Sequence, residues 1–143
     1  MEAYLIATAC TKFEKKADQT FKSLTEEVYC DLLKSAKVEN GNMIGQAWFG
    51  NCGMGTFGQN NIRGQVCFTP LVQKKLFPER VGIINVEGGC ATGSMAFHGA
   101  WKDVISGTED VSLAIGVEKI YQPNQPEKIQ EIYDGGIDQF DRN

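Results

Sequence analysis

The chain has 143 residues, of which 42% are hydrophobic and 22% charged. This is one domain's worth of polypeptide with an ordinary globular composition. The net charge of -4 argues against nucleic acid as a main partner, because phosphate binding needs concentrated Lys and Arg. No apolar run approaches the roughly eighteen residues needed to cross a bilayer, and the opening MEAYLIATACTKF has no basic segment ahead of a long apolar one. A cytoplasmic location, with neither nucleic acid nor membrane as partner, is the expectation.

Five cysteines, at 10, 30, 52, 67 and 90, contain no Cys-x-x-Cys pair, and the chain holds a single histidine. A metal site is therefore not expected, and reduced thiols fit better than a disulfide framework. Cys10, Cys30, Cys52 and Cys67 read as small buried side chains.

In chain order, Tyr4 to Ala9 reads as a first strand, continuous in apolarity as inside a parallel sheet. Phe13 to Gln19 is a polar, Lys-rich loop. Phe21, Leu24, Val28, Leu32 and Leu33 then recur at helical steps, with Asp18, Thr20 or the Ser23-x-x-Glu26 pair able to cap the start. Glu39-Asn40-Gly41-Asn42 carries turn chemistry, and Ile44 to Phe49 reads as a strand. Gly53 to Gly58 spells G-x-G-x-x-G, but a dinucleotide site needs a helix opening at those glycines and an acid closing the following strand. Glu79 has the spacing but precedes a strand, so a flexible loop ahead of a helix from about Asn60 to Phe68, ended by Pro70, is the reading adopted. Arg63 is taken as structural.

The segment Val81 to Ile120 organises the rest. Val81 to Val86 is a short buried-type strand, Glu87-Gly88-Gly89 a tight turn, and Ala91 to Ile105 a helix with small or apolar residues on nearly every side. Ser106-Gly107 stops that helix, and Val111 to Val117 reads as a further parallel strand. A helix apolar all round needs cover on both faces, and the upstream segments can supply only one. His98 lies eight residues beyond Cys90, about 12 Å along a helix, too far to act as its base. It is expected to be buried or interfacial.

Cys90 sits where the turn meets the helix. Unpaired N–H groups and the helix dipole favour a thiolate there and can hold an oxyanion formed when sulfur attacks a carbonyl. Gly88, Gly89 and Gly93 would let substrate and neighbouring backbone come close.

VEGGCATGSMAFHGAWKDVISGTEDVSLAIGVEKI resembles the nucleophile segment of the thiolase superfamily, with its Val-Asn/Glu-x-x-Cys-x-Ser/Thr-Gly-Ser pattern. It is most similar to the acetyl-CoA acetyltransferase and sterol-carrier-type thiolases. YLIATACTKFEKKADQTFKSLTEEVYCDLL resembles the opening strand and first helix of that family, and WFGNCGMGTFGQNNIRGQV its Gly-Asn strand followed by Gly-Gln-Asn-x-x-Arg. The resemblance implies an α/β, thiolase-like layered fold, here the N-terminal half, with a mainly parallel sheet and a buried central helix. Residues 1–120 would be the α/β domain carrying the nucleophile, and residues 121–143 the start of a loop or cover region.

It further implies that Cys90 carries the acyl group and donates its backbone N–H to the oxyanion, with Gly88, Gly89 and Gly93 lining the substrate. The reaction would be cleavage or formation of a carbon–carbon bond of a 3-oxoacyl-CoA. Acyl-CoA and coenzyme A are the partners implied, coenzyme A being a co-substrate rather than a resident cofactor. A homodimer or higher oligomer follows from the same likeness, with strand 81–86 pairing across the two-fold axis. The catalytic histidines and the Cys-x-Gly motif of the family's second half are absent from this sequence. The chain would thus be an N-terminal part or a split subunit, completed by a second thiolase half or accompanied by a zinc-ribbon/OB-fold subunit. Other readings are a ketoacyl synthase, a hydroxymethylglutaryl-CoA synthase, or a non-catalytic thiolase-like scaffold.

Overall fold

A computed structural model describes residues 2–141. Seven regular elements follow one another as α1 (Phe21–Ala36), β1 (Gln46–Gly50), α2 (Arg63–Gln73), β2 (Gly82–Val86), α3 (Thr92–Ser106), β3 (Ser112–Gly116) and α4 (Lys128–Asp134), with short 3-10 turns at Gly53–Phe57 and Gly89–Ala91. The three strands form one parallel sheet in the order β2-β1-β3, with Gln46 opposite Gly82 and Ser112, and Gly50 opposite Val86 and Gly116. Parallel strands need crossovers, and α2 and α3 supply them.

Side chains alternate across a strand, so β1 serves two layers. Phe49 reaches Phe68 of α2, ring centroids 6.3 Å apart, while Trp48 reaches α3 and donates its indole N–H to Asp103 Oδ2 at 2.7 Å. The α1/α2 face holds the main core, in which Tyr29, Phe49, Phe68 and Leu71 are at most 1% exposed. Tyr29, Phe68 and Phe77 meet edge to face, the arrangement favoured by ring quadrupoles.

The α3 face is thinner. It buries the small residues Ala96, Gly99 and Ala100 against the sheet, while Met95, Phe97 and Trp101 on the helix's far side are 44%, 55% and 43% exposed. The helix is thus covered on one side by this chain, as its two-sided apolar pattern implied. Gly99 is there because Trp48 lies against it: a Cβ would come within 2.5 Å of Trp48 Cε2.

Several expectations are corrected. Tyr4 to Ala9 forms no strand, and Tyr4, Leu5 and Ile6 are 78%, 69% and 71% exposed. Strand hydrogen bonds come from a neighbouring strand, and here a groove of about 630 Å³ separates this segment from the outer edge of β3. β2 is an edge strand rather than a buried one, with Ile84 exposed. Residues 53–57 are no loose loop but a 3-10 turn with Gly53 and Met54 buried. Helix α2 starts at Arg63, after Ile62 in a left-handed conformation, and runs through Pro70 to Gln73. Burial of Phe68 and Leu71 on either side of the proline offsets the lost backbone bond.

Helix α1 matches its periodicity, and Thr20 and Ser23 form a reciprocal capping box. Beyond β3, α4 packs Ile132 near Gly53 at the 3-10 turn. Among the described residues no helix is long and apolar enough to cross a membrane.

Gly99→Val should lower stability by about 1–3 kcal/mol, the usual cost of overpacking, because Trp48 is pinned by Asp103 and cannot withdraw. A reduced urea midpoint with an unchanged slope would register it.

Candidate active site

The carboxyl ends of the three parallel strands converge on one edge, the place where open α/β sheets bind ligands. Asn51, 1% exposed, ties these ends together. Its backbone N–H donates to Val86 O at the end of β2, its side-chain amide donates to Val117 O just past β3 at 2.6 Å, and its Oδ1 accepts from the Met54 N–H at 2.9 Å. Arg63 Nη1 donates to Asn51 O at 2.6 Å, so the structural role expected of this arginine is what the geometry gives it.

Cys90 stands above this knot, in the 3-10 turn that joins β2 to α3, and is exposed. The turn depends on Gly89, whose φ of +58° lies in the left-handed region that side-chain-bearing residues avoid. It also depends on Thr92, only 6% exposed. The Thr92 hydroxyl accepts from the Gly88 N–H at 2.9 Å and donates to Gly89 O at 2.7 Å. A hydroxyl has one proton and two lone pairs, so its remaining lone pair takes the Cys52 thiol, 2.9 Å away. Glu87 Oε1 accepts from the Gly89 N–H at 2.7 Å, and the Ala91 N–H donates to Gly88 O. The Cys90 N–H stands outside this set of bonds.

Gly88 and Gly89 are thus part of the turn itself. A Cβ on Gly88 would run into Met95 Sδ. Gly93, on the first turn of α3, is exposed and has open space where a Cβ would be. Nothing among the described residues crowds it.

Of the two readings of His98, burial within this chain is corrected, since the residue is exposed and its ring is stacked on Trp101 at 5.4 Å between centroids. The cysteines are corrected too. Only Cys67 is buried, Cys30 and Cys52 are half-buried, and Cys10 is exposed.

Sequence reading missed the residues that hold the turn from below. Cys52 follows Asn51 out of β1, and its sulfur also meets Gly89 O at 3.2 Å. The Cys52 and Gly53 N–H groups both donate to the Glu118 carboxylate. Burial pushes the Cys52 thiol up, against the Thr92 hydrogen bond and with the help of the Glu118 and Glu87 charges. Partial removal from water pushes the Glu118 carboxyl up, opposed by those two backbone N–H groups and by the Arg63 charge. The only local hint was the Cys-x-Thr spelling at a helix start; Thr92 lies 40 residues from Cys52, and Glu118 lies 66. Among the described residues no group of His, Cys, Asp and Glu is arranged to hold a metal ion.

The description "Thiolase, N-terminal domain" matches residues 3–136, and the chain belongs to that family. Two curated relatives resemble it at 32% identity over 117 residues each: benzoylsuccinyl-CoA thiolase subunit BbsB of Thauera aromatica, covering 82% of this chain, and an acetyl-CoA acetyltransferase of Methanocaldococcus jannaschii, covering 81%. The matched stretch is 28% of the length of either relative, so the chain spans little more than a quarter of them.

Thr92→Val removes the hydroxyl but keeps the shape, leaving the Gly88 N–H without its partner while Gly89 O keeps the Thr92 N–H and the Cys52 thiol. A loss of about 1–3 kcal/mol, read from the urea midpoint, is expected. Glu118 gives a pH signature. Its folded-state carboxyl keeps its proton to higher pH than in the unfolded chain, so its contribution is greatest below the unfolded carboxylate range and falls as pH rises through the folded one. Because Glu118 is exposed, solvent screens the effect and it should be small. The urea-midpoint difference, wild type minus Glu118→Gln, should shrink or turn negative from about pH 4 to about pH 7.

Proposed function

We propose that this chain carries the acyl-accepting cysteine of a thiolase-type acyltransferase. The observation that supports the reading best is the setting of Cys90: an exposed thiol at the carboxyl edge of a parallel sheet, on a turn whose other N–H groups are engaged while its own finds no partner among the described residues. Family membership and two relatives named for coenzyme A thioesters point the same way.

In this mechanism the Cys90 thiolate attacks the 3-keto carbon of a 3-oxoacyl-CoA. The oxygen takes up negative charge and is held by the Cys90 N–H, a contribution of a few kcal/mol when such a donor is well placed. Collapse of the adduct breaks the bond between carbons 2 and 3. The acyl group stays on sulfur, and the carbanion of the departing acyl-CoA is protonated. The thiol of coenzyme A then attacks the acyl carbonyl and frees Cys90. Gly88, Gly89 and Gly93 form the substrate-facing backbone, and Gly93 has open space where a Cβ would be.

The base is not in this sequence. Its single histidine is stacked on Trp101, eight residues along from Cys90, about 12 Å by helical rise. Proton transfer falls to residues of a longer polypeptide or of a second subunit, in keeping with one relative being described as a subunit. The exposed Phe97 and Trp101 of α3, on the groove beside β3, are where such a complement would sit.

The test is intact-mass spectrometry of the complete protein after exposure to a 3-oxoacyl-CoA. One acyl group should appear on Cys90 and vanish when coenzyme A is added. Cys90→Ser should show no adduct and no turnover while its urea midpoint stays near that of wild type. Turnover at the wild-type rate by that variant, or an adduct mapped to another residue, would overturn the reading.

A further inference from the structure

Cys52 lies beneath the nucleophile turn, and neither acyl transfer nor core packing calls for a sulfur at that place. Its thiol touches two atoms that flank Cys90 in sequence: Gly89 O at 3.2 Å and Thr92 Oγ1 at 2.9 Å. A carbonyl oxygen and the Cα of the following residue are held a fixed short distance apart across a trans peptide. Standard peptide dimensions therefore put Cys90 Cα within about 6 Å of the Cys52 sulfur. Bridged cysteines have Cα separations of about 4.4–6.8 Å, so with its Cα this close to the Cys52 sulfur, Cys90 closes the bridge by turning its side chain inward and drawing the turn toward Cys52. The intervening backbone can adjust, because Gly88 and Gly89 precede Cys90 and both are exposed.

We infer that Cys52 is a resolving thiol for Cys90, closing on it as an intramolecular disulfide when Cys90 is oxidised by a peroxide. The inference concerns the same sulfur as the proposed reaction but needs no acyl substrate, so the two can fail separately. In the first step the Cys90 thiolate attacks one oxygen of hydrogen peroxide; an S–O bond forms, the O–O bond breaks, hydroxide leaves, and sulfur is oxidised to the sulfenic acid. In the second step the Cys52 sulfur attacks the Cys90 sulfur. The S–S bond forms, the S–O bond breaks, and the hydroxyl leaves with the Cys52 proton as water. A dithiol reductant restores both thiols by exchange.

The environments of the two residues assign the order of events. Cys90 is exposed and meets peroxide first, whereas Cys52 is half-buried, and burial, with the nearby Glu118 and Glu87 charges, pushes its thiol up against the Thr92 hydrogen bond. A protonated thiol is a poor target for peroxide. Closure also bears on chemistry: a Cys90 held in a disulfide is spared further, irreversible oxidation to sulfinic and sulfonic acids. It cannot take an acyl group until reduced.

Peptide mapping under non-reducing conditions, after brief exposure to stoichiometric hydrogen peroxide, tests this. Wild type should yield the tryptic peptide containing Cys52 joined to the one containing Cys90, two hydrogens lighter than their sum and separated by dithiothreitol. Cys52→Ser keeps a donor toward Thr92 and Gly89 O; the joined peptide should be lost and sulfinic acid should accumulate on Cys90. Cys10→Ser should leave the joined peptide in place. Cys90 going on to sulfinic acid in wild type as fast as in Cys52→Ser, or joining to a cysteine other than Cys52, would overturn the inference. The wild-type map alone decides the second point even if a variant fails to fold.

Discussion

Everything at the working edge of this domain hangs on the side chain of Asn51. Three parallel strands end side by side, and the last residues of each expose N–H and C=O groups that no further strand can pair. One buried amide answers them by holding the end of β3 through Val117 O and the start of the next turn through the Met54 N–H, while its backbone reaches Val86 O. Buried polar groups that are fully partnered fix geometry; partly partnered, they cost more than they return. The Cys90 turn rests on this knot through Cys52 and Thr92, so the position of the exposed sulfur is set by residues that are themselves hidden.

The two faces of the sheet are built to different specifications. The α1/α2 face is a dense cluster of aromatic and aliphatic side chains, and its edge-to-face rings leave little freedom. The α3 face touches the sheet through Ala96, Gly99 and Ala100 and turns larger residues outward. Small residues bring the helix axis close to the sheet, which sets the first turn of α3, and the turn carrying Cys90 before it, at the strand ends. Close approach on one side and bare apolar surface on the other are two results of one sequence pattern.

What the residue order disclosed was the local part. Strand runs at 44–49, 81–86 and 111–117 and the period of α1 could be read because each depends on neighbours a few residues away, and the Gly-Gly-Cys turn announced itself by composition. Tyr4 to Ala9 has strand spelling but no strand, since pairing is a property of two segments and spelling a property of one. Pro70 looked like a stop and is not, because the burial of Phe68 and Leu71 outweighs one missing hydrogen bond. Asn51, Thr92, Cys52 and Glu118 were unread for a related reason. Each is an unremarkable residue until folding carries it across 40 or more positions to its partner.

The outer edge of β3 has a wider consequence. A strand paired on one side only presents a row of free donors and acceptors on the other, and here that row faces an apolar channel rather than charged or proline-bearing guard residues. Tyr4, Leu5 and Ile6 stand exposed across the channel. A chain in this form carries within itself both halves of an adhesive joint, so crowded copies would be drawn to stitch edge to edge until something of the right shape fills the gap first.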